Sequence, residues 1–166
     1  MYVQLQKELE EYWGMHMLVF PTGWMGGFGV IRALVRPWDH VIMDHVSHNC
    51  LQEGAIAATR NIKKFEHLNQ DEMERMLRET READPDNAIL VVTEGLFSMD
   101  ADSPDLKFYQ KTAKKYNAYL LIDCAHDFGH LGPTGKGTSF LTQVPGRPRA
   151  SATSPMWSCA GPAARP

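Results

Sequence analysis

Hydrophobic positions along the chain alternate between a helical and a strand-like spacing. Apolar residues that recur on one face of a helical turn indicate amphipathic helices. This spacing predicts helices at 3–13, 70–82 and 106–116. Short apolar runs bounded by polar or turn residues indicate strands. Runs of this kind predict strands at 17–20, 41–44, 88–93 and 118–123, and 62–65 is a further candidate strand.

The runs at 88–93 and 118–123 are almost continuously apolar, which is typical of strands buried on both faces. Such strands occur in parallel sheets that helices cover on both sides. Because helices and strands alternate along the chain, we predict an α/β fold with a mostly parallel sheet and helices on both faces. The helix at 70–82 also has a capping-box pattern at its start, Asn69 with Glu72.

The end of the chain has a different composition. Residues 145–166 are mainly Pro, Arg, Ala, Ser and Gly, with little hydrophobic periodicity. This composition is typical of segments that do not form a packed core. The sequence therefore predicts one domain over 1–144 and a disordered or non-native tail over 145–166.

Composition and charge exclude several classes of function. Hydrophobic residues make up 43% of the 166 residues and charged residues 22%, as in a globular domain. The net charge of -3 does not indicate a nucleic-acid partner. No apolar run is long enough for a membrane span, and the acidic N-terminus lacks the apolar core of a signal peptide. Three scattered cysteines form no disulfide framework, so a cytoplasmic location is expected.

Polar residues follow the two buried strands where each strand ends. Glu94 closes one of them, and Asp123 closes the other, three residues before His126. In parallel sheets, ligands bind outside these carboxyl ends. A carboxylate in this position can hold the protonated nitrogen of a heteroaromatic ring and keep that ring electron-withdrawing. The alternative is that Asp123 caps a helix or pairs with a basic side chain.

The histidines could also be ligands of a zinc site. Structural zinc takes four Cys or His ligands with characteristic spacings. The segment with His40, His45, His48 and Cys50 has no matching pair of ligands elsewhere in the sequence. Glycines beside His126 and His130 argue against a helix that presents both rings. We therefore predict no metal site.

The segment from Thr93 to Gly137 resembles the α-oxoamine synthases. The pattern consists of Asp123, Ala125 and His126, followed by a glycine-rich stretch. Its glycines are Gly129, Gly132, Gly135 and Gly137. The resemblance runs from the first helix to about Gln143. It implies a fragment of the large domain of fold-type-I pyridoxal 5′-phosphate (PLP) transferases, the aminotransferase class I/II group.

The resemblance implies roles for three residues near the strand ends. Asp123 would pair with the pyridine nitrogen of PLP, and His126 would hydrogen-bond the phenolic oxygen. Ser98 would be a second partner on that side of the ring. The alternatives are a histidine satisfied within the core and a serine that only forms a turn.

The resemblance extends to two earlier segments. His48 matches the histidine that stacks on the cofactor ring, and Cys50 stands where the family often has serine. Gly23 and Trp24 lie in the loop whose backbone N–H groups hold the cofactor phosphate at a helix start. There Gly26-Gly27 replaces the family's Ala-Asn, so a looser helix start is expected.

The implied activity is decarboxylative condensation of an amino acid with an acyl-CoA or acyl thioester. An aminotransferase or a lyase of the same fold, and an inactive or regulatory subunit, are the alternatives. The family's Schiff-base lysine has no counterpart here, where the last lysine is Lys136. A chain truncated before that lysine is therefore expected. The resemblance also implies that the complete protein is a homodimer. Trp13, Trp24 and Trp38 are expected to contribute apolar surface to the dimer.

Overall fold

The computed structural model describes residues 1–14, 16–132, 134–137 and 156–159. Between residues 23 and 123, helices and strands alternate along the chain. The helices are α1 Tyr2–Trp13, α2 Gly23–Leu34, α3 Asn49–Ala58, α4 Gln70–Ala83 and α5 Leu106–Lys115. The strands are β1 His40–Asp44, β2 Asn61–Phe65, β3 Ile89–Glu94, β4 Tyr119–Asp123 and β5 Met156–Cys159.

The five strands form one sheet in the order β2-β1-β3-β4-β5, and every neighbouring pair is parallel. The predicted α/β class with a parallel sheet is confirmed. From β1 the chain moves to one side to form β2 and then returns to the other side to form β3. The strand order therefore reverses between β1 and β3, and parallel sheets open a crevice at such a point.

Alternate residues of each central strand point to opposite faces of the sheet, and each face has its own core. Ile42, Val91 and Ile122 pack under α4 and α5, with Met73, Leu77 and Tyr109. Val41, Val92 and Leu121 pack under α2 and α3, with Ile31, Leu51 and Ala55. Burying both faces explains why the two best strands are continuously apolar.

Two differences from the predicted elements lie in the first half of the chain. Residues 17–20 do not form a strand, since no neighbouring strand pairs with them in the described part of the chain. Helix α3 was not predicted at all. Its buried face consists largely of small residues, which give a weak hydrophobic periodicity.

The N-terminus of α4 forms only half of the predicted capping box. The Asn69 side chain accepts a hydrogen bond from the Glu72 N–H, as expected for an N-cap residue. The Glu72 carboxylate, however, accepts from the N–H of Glu66, at 2.7 Å, and not from Asn69. It thereby fixes the loop before the helix as well as the helix itself.

Four residues of the predicted tail lie in the sheet. Met156–Cys159 pairs in parallel with β4, from Leu120 to Asp123, and forms the edge of the described sheet. The expectation that nothing after Pro145 packs on the domain is wrong for these four residues. The free edge of β4 offers backbone hydrogen bonds to a short extended segment, which composition alone does not reveal. The remainder of 138–166 lies outside the described residues, and the domain boundary at 144 stays a prediction.

None of the helices within the described ranges combines the length and hydropathy that a membrane span requires.

Helices α2 and α3 pack very closely at Gly27. An ideal Cβ on Gly27 would lie 2.6 Å from the Cys50 Sγ and 3.2 Å from the Leu51 Cδ2. A methyl group there would force α2 away from α3. Gly29, two residues on, has more room: its Cβ would lie 3.5 Å from the nearest atom, in Phe20.

We expect Gly27→Ala to lower the free energy of unfolding by about 1–3 kcal/mol, because it overpacks this contact. Gly29→Ala is the matched control in the same helix, and it should stabilise by roughly 0.5–1 kcal/mol. Urea denaturation followed by circular dichroism measures both. Adding Cys50→Ala to Gly27→Ala should recover part of the loss. Equal stabilities for the two alanine variants would contradict the close contact.

Candidate active site

A cleft opens at the carboxyl ends of β1, β3 and β4, where the strand order reverses. The loop after β1 brings His48 to this edge, β3 ends there in Glu94, and β4 ends in Asp123. The start of α2 closes the remaining side. The cleft has a volume of about 130 Å³ and is lined by Gly23, Trp24, His48, Cys50, Glu94, Asp123, Ala125 and His126.

Five of the six predicted site residues line this cleft: Gly23, Trp24, His48, Asp123 and His126. They come from three separate parts of the chain: the start of α2, the loop after β1 and the end of β4. Ser98 does not line it and lies on the exposed loop after β3. The roles predicted for all six toward a cofactor stay predictions.

Asp123 is a buried carboxylate of the cleft. Only 6% of the residue is exposed, and its Oδ1 accepts a hydrogen bond from the Ala125 N–H at 3.0 Å. Burial raises the pKa of Asp123, while that hydrogen bond and the charges of His48 and His126 oppose the rise. A buried carboxylate with a raised pKa favours a cationic partner.

His48 is held at the N-terminus of α3 with a defined ring orientation. It is the N-cap residue, and its Nδ1 accepts from the Cys50 N–H at 3.3 Å. A nitrogen that accepts must carry a lone pair, so the proton of the neutral ring is on Nε2. The Trp24 ring meets the His48 ring edge-on, with 5.7 Å between centroids. The two rings form an aromatic wall of the cleft.

Glu94 is a residue of the cleft that the sequence analysis did not assign to the site. It is 3% exposed, and its Oε1 accepts from the His48 backbone N–H at 2.7 Å. Burial, together with the charges of Asp123 and Asp44, raises the pKa of Glu94 to about 7. Its place at a strand end was visible in the sequence, but its contact with His48 was not.

Cys50 packs between the two helices and the cleft. Its Sγ lies 3.0 Å from the His48 Nδ1. Burial and the charges of Asp123 and Glu94 raise the pKa of Cys50 to about 11, so its thiol stays protonated at neutral pH. The Cys50 thiol can therefore donate to the imidazole.

The N-terminus of α2 lies against the cleft. Thr22 is its N-cap, and the Thr22 hydroxyl accepts from the Met25 N–H at 3.1 Å. The first N–H groups of a helix have no partner within the helix, and they favour an anion. The looser start expected from Gly26-Gly27 is not observed, because both glycines are buried in a regular helix.

A family model described as aminotransferase class I and II matches residues 1–152. The chain belongs to this family. The predicted membership is therefore confirmed, and it covers the residues that line the cleft.

The relatives of this aminotransferase class I and II chain are α-oxoamine synthases. It is 36% identical over 135 residues to 8-amino-7-oxononanoate synthase of Hydrogenovibrio crunogenus. That match covers 81% of this chain and 34% of the enzyme. Serine palmitoyltransferase of Caulobacter vibrioides is 35% identical over 137 residues, covering 82% and 33%.

Solved structures of serine palmitoyltransferase have the same fold. The enzyme from Sphingomonas wittichii aligns with a TM-score of 0.80 and 29% identity, over 85% of this chain and 35% of that one. A variant from S. paucimobilis with a bound PLP–myriocin aldimine aligns with a TM-score of 0.78 and 32% identity, over the same shares. The chain thus spans about a third of the length of the relatives it matches. PLP as the cofactor of this family is confirmed.

The histidines considered as zinc ligands do not lie close to one another. His40 pairs with Asp84 at the amino end of β1, at 2.8 Å, whereas His48 lies beyond the carboxyl end of that strand. His45 contacts the His67 ring, with 6.3 Å between centroids. Among the residues with described positions, no three potential ligands are close enough to hold a metal ion.

Proposed function

We propose that this chain forms the cofactor-binding part of a PLP-dependent acyltransferase. The reaction joins the α-carbon of an amino acid to the acyl carbon of an acyl-CoA or acyl thioester. The amino acid loses its carboxylate as carbon dioxide, and the thiol of the acyl donor leaves. The observation that carries the proposal is the buried Asp123 carboxylate, which shares one cleft with the His48 ring and the N-terminus of α2.

The chemistry of these groups fits PLP. The cofactor has a ring nitrogen that can take a proton, a flat aromatic ring and a phosphate. Asp123 offers an anion to the nitrogen, His48 a flat ring, and the amides of Gly23 and Trp24 a site for the phosphate. When bound, PLP supplies an electron sink for the charge that develops at the amino-acid α-carbon.

The residues themselves would hold protons and exclude water. A cation beside Asp123 replaces the water that the buried carboxylate has lost, so the pKa of Asp123 should fall when the ring nitrogen binds. The negative charge then keeps the proton on that nitrogen. His126, at the exposed mouth of the cleft, would donate a hydrogen bond to the phenolic oxygen. His48 and Trp24 would keep water from one face of the reacting carbon.

We also propose that the complete protein is a homodimer. The exposed aromatic side chains Trp24 and Trp38, at 49% and 52% exposure, support an apolar interface. Trp13 is not part of this surface, contrary to expectation. It is 6% exposed and stacks on Phe128, because α1 packs back on the loop after β4. The cytoplasmic location stays a prediction.

A chimera tests the proposed reaction. Residues 1–137 would replace the matching third of the H. crunogenus 8-amino-7-oxononanoate synthase, and thiol release from that enzyme's acyl donor would be followed. We expect the chimera to be active and to lose activity by at least roughly 100-fold with Asp123→Asn, from loss of a charge-assisted contact in a reacting site. Asp86→Asn, an exposed site, is the matched control.

A chimera that folds and binds PLP but releases no thiol would contradict the acyltransferase assignment. If the same chimera exchanged amino groups with a keto acid, the aminotransferase alternative would replace it.

A further inference from the structure

The His67 side chain bridges two carboxylates outside the cleft. Its Nδ1 lies 3.1 Å from both Asp44 carboxylate oxygens, and its Nε2 lies 3.1 Å from the Asp102 Oδ2. Carboxylates only accept hydrogen bonds, so an imidazole that serves both must carry a proton on each nitrogen. The bridge is therefore complete only when His67 is positively charged.

Asp44 anchors one end of this bridge rigidly. It is the last residue of β1 and is fully buried. It also accepts from the backbone N–H groups of Val46 and Leu68, at 3.0 Å each. His67 is thus tied to the sheet through a carboxylate that also holds two backbone segments, the turn after β1 and the chain at Leu68.

Asp102 ties the other end to the loop after β3. The Phe97 N–H donates to the Asp102 carbonyl at 2.9 Å, and the Ala101 N–H donates to the Phe97 carbonyl at 3.0 Å. The Phe97 ring also meets the His67 ring edge-on, at 4.5 Å between centroids. His67 therefore contacts both ends of the loop 97–102, the loop that carries Ser98.

Backbone strain shows that both connected loops need such support. Leu68, next to His67, has a φ of 56°, and Ala101, next to Asp102, has a φ of 55°. Non-glycine residues adopt this left-handed conformation at a cost, and it persists where the surroundings hold it. The hydrogen bonds of the bridge end one residue away from each strained position.

We propose that His67 is a positioning residue that, as an imidazolium, clamps the loop 97–102 to the end of β1. The clamp sets the distance of Ser98 from the cleft. The contact of Ser98 with a cofactor rests on the proposed function. The clamp itself is a property of the chain without any ligand.

The charges around His67 determine the pH at which the clamp opens. Burial lowers the pKa of His67, but hydrogen bonds and charges from Asp44 and Asp102 outweigh it, so the pKa lies above its ordinary value of 6.5. Glu94 and His45 also face it from the ends of β3 and β1. A histidine with a raised pKa stabilises the fold below about 6.5, and this contribution is lost as pH rises through the raised pKa.

Hydrogen exchange of the Phe97 and Ala101 amides between pH 6 and 9 tests the clamp in the chain without ligand. After correction for intrinsic exchange, protection should fall about ten-fold for each unit by which the pKa of His67 is raised. The fall should coincide with the titration of the His67 ring seen by NMR. In His67→Gln the protection should be low at every pH, while β3 amides remain protected. His16→Gln, at a fully exposed histidine, should behave as the parent chain does.

Asp102→Asn provides a second variant that keeps an acceptor but removes one charge. The ring titration and the loss of protection should both move to lower pH, which a purely structural contact would not produce. Protection that is independent of pH, or that fails to follow the ring titration in Asp102→Asn, would overturn the proposal.

The affinity for pyridoxine 5′-phosphate, measured on the same samples, separates the clamp from the proposed function. We expect it to weaken in His67→Gln and, in the parent chain, at the pH where protection is lost. If protection follows the titration of His67 but the chain binds no ligand at any pH, the clamp is supported and the proposed cofactor site is wrong. If the ligand affinity stays constant while the protection of Phe97 and Ala101 is lost, the role given to Ser98 is wrong.

Discussion

Asp123→Asn should weaken the binding of pyridoxine 5′-phosphate by roughly 10- to 100-fold, because a charge-assisted hydrogen bond contributes about 1.5–3 kcal/mol. The carboxylate is buried at the end of β4, so no water replaces the lost interaction. Asparagine keeps the shape and the acceptor that the Ala125 N–H needs. The difference therefore reports the charge and not the fold.

Pyridoxine 5′-phosphate is the informative ligand for this measurement. It carries the ring nitrogen and the phosphate of PLP but lacks the aldehyde, so it cannot form a Schiff base with surface lysines. Titration by fluorescence or equilibrium dialysis gives the dissociation constant. Asp86→Asn, in an exposed turn, is the control and should bind as the parent chain does. Unchanged affinity in Asp123→Asn would reject the contact with the ring nitrogen.

PLP itself should bind this chain reversibly. No lysine is among the residues that line the cleft in the described part of the chain. After borohydride reduction, any labelling of lysines should be the same in the parent chain and in Asp123→Asn. Labelling of one lysine that disappears in Asp123→Asn would show that this lysine reaches the cleft.

Glu94→Gln should raise the free energy of unfolding at pH 8 by up to about 3 kcal/mol. The pKa of Glu94 rises from its ordinary 4.5 to about 7 on folding, so the folded chain resists ionisation of this side chain. Its contribution to stability is fully present below pH 4.5 and is lost as pH rises to about 7. Glutamine cannot ionise, and its oxygen can still accept from the His48 N–H.

The difference between the two chains is what must be measured, since other carboxylates titrate over the same range. Urea denaturation of Glu94→Gln and of the parent chain, at steps from pH 4.5 to 8, gives this difference. It should be near zero at the acid end and largest above pH 7. Glu82→Gln, at an exposed glutamate of α4, should show no such trend. A constant difference across the range would contradict the raised pKa.

The elements that the sequence predicted well are those whose pattern is complete within a few neighbouring residues. Strands β3 and β4 are continuous apolar runs, and α5 has a regular apolar face. Helix α3 was missed because its buried face is made of small residues that match the close approach of α2. Residues 17–20 have the apolar run of a strand, but a strand also needs a partner at its edge.

Some site residues were found from the sequence and others were not. Asp123 and His126 belong to one local motif, and His48 and Gly23 to others, so each could be identified from its own neighbours. Glu94 was seen at a strand end and given no role. Its importance depends on the register between β3 and β4, which places it beside Asp123, and on the His48 N–H from another loop.

The sequence by itself determined the alternation of helices and strands, the family and the type of residue at each strand end, because these are encoded by short segments. Only the tertiary structure decided which distant residues contact one another. It buried Trp13 on Phe128, paired Met156–Cys159 with β4 and joined Asp44, His67 and Asp102. Such contacts link residues far apart in the chain. They depend on strand order and loop packing, and no local pattern of hydrophobic and polar positions encodes either.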